Sequence, residues 1–192
     1  MKLTTIKRQI FVIFVIFAQI FSSQMCAESK SEDMNSKFQA TEKNNEGIRY
    51  LQAKDIGKAK ELFEEAFKLD GTSPEYPSNI GYCYLISNQL DEAEKYFKKS
   101  LNVDSRYFRA HYNMGVLLQT KGDIENAKES YAKAVNSNPS FPEANYNLAL
   151  MYMRLGQKKS AIEYFEKFIS VASPDMQQPV KDAKQRIIEL KK

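Results

Sequence analysis

The chain has 192 residues, room for one domain or one short repeat array, and its 43% hydrophobic and 27% charged residues are ordinary for a globular protein. Two cysteines exclude a disulfide scaffold. The net charge of +4 comes largely from Lys2, Lys7 and Arg8, since residues 1–27 hold no acid; taking three from 28 leaves 25 basic against 24 acidic residues, which excludes the charge excess of a nucleic-acid binder.

In chain order, "MKLTTIKR" is a basic start, "QIFVIFVIFAQIF" an apolar core and "SSQMCA" a small-residue ending. Those are the three parts of an export signal, with cleavage expected after Ala27 and a periplasmic or secreted destination. The apolar run is shorter than the roughly 20 residues of a spanning helix. An uncleaved segment anchoring the protein to the membrane is the alternative, and the only membrane contact expected. Cleavage would remove Cys26 and leave Cys83 as the single cysteine. Residues 28–39, "ESKSEDMNSKFQ", are polar and read as an unstructured leader, with helix onset near Phe38.

A 34-residue period follows. Gly115 falls on Gly47, Gly81 and Ala149; Ala127 on Ala59, Ala93 and Ala161; Tyr131 on Phe63, Phe97 and Phe165; Ala134 on Ala66, Ser100 and Phe168. The units are 40–73, 74–107, 108–141 and 142–175. In the third, Met114, Gly115 and Leu118 share one helical arc, and Ala127, Tyr131 and Ala134 share another. "KGD" at 121–123 breaks the chain between them, and Pro139 lies beyond the second. Small residues let one helix approach closely while an aromatic ring of its partner fills the gap. The expected fold is therefore all-α, a solenoid of four helix-turn-helix units. In residues 176–192, Val180, Ala183, Ile187 and Leu190 recur at helical spacing, a capping helix for the last unit.

This pattern resembles the tetratricopeptide repeat family over residues 40–175. The column where that family often has tryptophan holds Lys43, Pro77, His111 and Asn145, and the usual proline is kept only at Pro139. Glu46 in an apolar column and Phe168 in a small one mark atypical outer units.

No catalytic motif appears, and an enzyme is not expected. His111 is the only histidine and has no second ligand at metal-binding spacing, so packing is expected of it, as it is of Cys83; no cofactor or metal is implied. The resemblance implies a concave groove lined by the first helix of each unit. One column there repeats a single residue, Asn45, Asn79, Asn113 and Asn147. An amide carries both donor and acceptor and can pair with any peptide backbone; the column resembles the asparagine ladder by which some members of the family hold an extended peptide. Beside it lie Ile48, Tyr82, Val116 and Leu150, widened by Tyr112 and Tyr146, with Arg109 and Arg154 among charges of alternating sign. The family's basic clamp for an acidic peptide end is not matched beyond Asn79 and Asn113. The expected partner is a protein or peptide segment, extended and partly apolar, held in this groove. An assembly or membrane-associated structural scaffold acting through its ends or convex face is the alternative.

Overall fold

The computed structural model describes residues 30–192, and every regular element among them is helical. Helix α1 covers 30–52, followed by α2 (Ile56–Leu69), α3 (Glu75–Ile86), α4 (Leu90–Val103), α5 (Phe108–Thr120), α6 (Ile124–Ser137), α7 (Pro142–Arg154), α8 (Lys158–Val171) and α9 (Gln177–Leu190). Consecutive helices pack on one another, and α3 also touches α5, so helix pairs stack into an α-solenoid. Among the described residues no helix is long and apolar enough to cross a membrane. The segment 1–27, read as an export signal, lies outside the described residues.

The small-residue columns pack as their spacing predicts. A Cβ on Gly47, Gly81 or Gly115 would lie 2.7, 2.6 or 2.6 Å from the ring of Phe63, Phe97 or Tyr131 respectively. All three rings are fully buried, as are Ala59, Ala93 and Ala127. In the fourth pair Ala149 and Phe165 share one core cluster, which continues into α9 through Ala183 and Ile187.

The turn inside each pair is also the same four times. Lys54, Asn88, Gly122 and Gly156 have φ between 57° and 83°. The next residue's N–H reaches back five positions, from Asp55 to Tyr50, Gln89 to Tyr84, Asp123 to Leu118 and Gln157 to Tyr152, each at 2.9 Å. This is the left-handed helix ending that satisfies the last carbonyls of the first helix. Asp55 and Asp123 then cap the second helix, accepting from the N–H of Lys58 and Asn126.

One expectation is corrected. The leader is helical from residue 30, not from near Phe38. Once the buried Ala40 region forms a helix, adding turns at its N-terminal end needs no new nucleus. Asp33 and Lys37 pair at 2.8 Å one turn apart on this exposed extension.

Candidate functional site

The first helices of the pairs, α1, α3, α5 and α7, bound a groove of about 540 Å³. Ile48, Tyr82 and Tyr112 give it apolar walls, and Asn79, Asn113 and Arg109 polar ones. A second cavity of about 370 Å³ adjoins it toward α9, and Tyr112 and Glu143 line both. Tyr146 and Asn147 belong to this second compartment.

The asparagine column is engaged inside the protein. Asn79 Nδ2 donates to Asn44 Oδ1 at 2.8 Å, Asn113 Nδ2 to Ser78 Oγ at 3.4 Å, and Asn147 Nδ2 to the Tyr112 hydroxyl at 3.2 Å. Each amide thus reaches the residue 35 positions earlier, on the first helix of the preceding pair. Asn44 Nδ2 in turn donates to Glu75 Oε1 at 3.2 Å. A carboxylate only accepts, so Glu75 fixes which end of the Asn44 amide faces Asn79. Tyr112 is half-buried, and that burial, reinforced by nearby Glu143, pushes its hydroxyl pKa above the usual tyrosine value.

The structure does not bring all the expected groove residues together. Asn45 is exposed and lines a separate cleft with Lys43 and Leu69. The rungs reach backward, and no described helix precedes α1 for Asn45 to reach. Val116 packs against the core of the third and fourth pairs, and Leu150 bridges that core to the cluster beneath α9. Arg154 is exposed and lines neither compartment. His111 is half-buried, its Nε2 lies 2.9 Å from the Ser105 carbonyl, and burial lowers its pKa.

Sequence reasoning missed Ser78 and Phe141 on the walls and the contribution of α9, whose Pro179 and Asp182 line the second compartment. Ser78 lies one position before Asn79 in the column pattern; nothing in its type announces an acceptor.

Residues 78–107 and 112–176 match models of the tetratricopeptide repeat. The chain is a tetratricopeptide repeat protein. Residues before 78 lie outside both matches, yet the Gly47–Phe63 contact and the left-handed Lys54 turn show the geometry of the later repeats there. Among solved structures, this tetratricopeptide repeat protein is similar to Pseudomonas aeruginosa pilF, 22% identical, with TM-score 0.69 over 81% of this chain and 72% of that one. It is similar to the MamA protein, 22% identical, with TM-score 0.58 over 79% and 86%. It is also similar to the first tetratricopeptide domain of Spaghetti bound to an HSP90 peptide, 19% identical, with TM-score 0.57 over 62% and 95%. At these identities the likeness is one of fold. No curated protein matches the chain in sequence.

Proposed function

We propose that this chain is a non-enzymatic protein-interaction module whose groove holds an extended, partly apolar segment of a partner protein. The observation that carries the reading is the pair of adjoining cavities joined at Tyr112, with apolar walls and amides at regular spacing. The side-chain oxygens of Asn79, Asn113 and Asn147 receive no hydrogen bond from the described residues, so each rung retains an acceptor for a peptide N–H. The Spaghetti domain, which shares the fold, is bound to a peptide.

Magnitudes place most of the affinity in the apolar walls. Three amides at about 0.5–1.5 kcal/mol each supply only a few kcal/mol, against an association cost of roughly 4–15 kcal/mol. Helices packed about 8–10 Å apart and a peptide advancing about 3.3 Å per residue give roughly three residues per repeat, a segment of about ten to twelve. A photo-crosslinking residue at position 112 should capture a discrete partner chain, whereas one at position 133, in the cleft beside His111, should not. Equal capture at both positions would refute the groove.

A second reading, an assembly scaffold acting through its ends, draws on exposed apolar side chains at the two termini of the array: Met34 and Phe38 on α1 and Ile188 on α9. Concentration-dependent sedimentation abolished by Ile188→Asp would favour it over the groove.

The basic, apolar and small-residue order of residues 1–27 supports export, to the periplasm or beyond. Mass spectrometry of protein from its native source should then find Glu28 at the N-terminus; an intact Met1 in the membrane fraction would support the anchor.

A further inference from the structure

The compartment next to α9 has mostly apolar walls, two neutral amides, Asn147 and Gln178, and charged groups of one sign only. Tyr112, Phe168, Met176 and Pro179 supply the apolar surface, and Glu143 and Asp182 are its carboxylic acids; among the described residues no lysine, arginine or histidine lines it. The two acids differ. Asp182 accepts from the Tyr146 hydroxyl and from Arg186, so its charge is matched within the fold. Glu143, in the first turn of α7, has neither a hydrogen-bond donor nor an ion-pair partner among the described residues, although Arg109 lines the first compartment with it. Arg109, one repeat earlier in the same column, lies 5.3 Å over the Phe108 ring and forms no ion pair with it.

A cavity with apolar walls and one half-buried, unmatched carboxylate fits a side chain with a long apolar stem and a cationic head. Glutamate is an acceptor for arginine or lysine, and tyrosine faces attract the same cations. We infer that the segment bound in the groove inserts a basic side chain into this compartment, its stem against Tyr112, Phe168 and Met176 and its charge on Glu143. The inference rests on the groove reading above and adds a chemical identity to one position of the segment. Its volume of about 370 Å³ is at the small end of ligand pockets, suited to one side chain more than to a free molecule.

Three pools of fluorescein-labelled, end-blocked decapeptides test it on the full chain. The pools share random positions drawn from leucine, tyrosine, serine and glutamine, and differ only in a fixed central arginine, norleucine or glutamate. By anisotropy the arginine pool should bind about tenfold more tightly than the norleucine pool, and the glutamate pool most weakly. Glu143→Gln, with its fold checked by thermal melting, should reduce the arginine advantage to about twofold. Glu143→Arg should move the preference to the glutamate pool. Equal binding of arginine and norleucine pools, or an arginine advantage that survives both substitutions, would overturn the inference while leaving the groove intact. Binding of none of the pools would overturn the groove reading itself, and this inference with it.

Discussion

The amide of Asn147 donates to the hydroxyl of Tyr112 at 3.2 Å, joining α7 to α5 where the two groove compartments meet. Tyr112 therefore holds two repeats in register as well as forming a wall. Tyr112→Phe and Asn147→Ala should each lower stability, and a double-mutant cycle by urea unfolding should show a coupling of about 0.5–1 kcal/mol. Strict additivity would mean that the contact has no energetic consequence.

Asn113 should behave differently, because its bond to Ser78 is long at 3.4 Å. Asn113→Ala should change the unfolding midpoint little and weaken segment binding by about 1 kcal/mol. A large stability loss with unchanged binding would assign this rung to the fold alone.

Gly115 has no room for a larger side chain. Tyr131 is fully buried, and its hydroxyl donates to Gln119 Oε1 at 3.0 Å, so the ring is held from both ends. Gly115→Leu should cost about 1–3 kcal/mol through overpacking, read as a lowered melting temperature. An unchanged melting temperature would contradict the helix–helix contact.

The left-handed turns offer a matched pair of substitutions. Gly122 has φ of 83° and a Cβ there would meet nothing within 4 Å, so Gly122→Ala isolates the backbone cost, about 1 kcal/mol. Lys54 adopts φ of 64° with a full side chain, and Lys54→Gly should raise stability by up to about 1 kcal/mol. Opposite signs in calorimetry are the expected result; a loss at both positions would show that Lys54 makes a compensating contact.

Acid should loosen α9. The Arg186 guanidinium, and then the Tyr146 hydroxyl, hold the Asp182 carboxyl below the usual aspartate range. A depressed pKa stabilises the folded state above the unfolded value of about 3.9 and loses that stabilisation as pH falls through the folded value. Amide exchange in α9 should therefore quicken relative to α6 below about pH 4, and Asp182→Asn should flatten the difference. The carboxylate is partly exposed, so added salt should shrink the effect.

The 34-residue period was sufficient to identify the helix pairs, because one contact, a small residue under an aromatic ring, recurs in every pair and leaves a column in the sequence. The turns were less legible: two of the four left-handed positions hold Lys54 and Asn88, so no glycine column marks them. The leader was misread because helix propagation from a packed region needs no apolar face of its own. In the groove, the asparagine column was visible but its partners were not. Asn44, Ser78 and Tyr112 share a position and a role without sharing a chemical type.

Those three bonds also have a mechanical meaning. They tie the first helices of successive pairs along the groove side, so flattening the solenoid would stretch them before it disturbed the buried contacts within each pair. At 2.8, 3.4 and 3.2 Å they are unequal tethers. Between α3 and α5 the tether is seconded by direct packing of the two helices. The compartment beside α9 takes walls from both α5 and α7, so the Asn147–Tyr112 tether would keep its shape as the array bends.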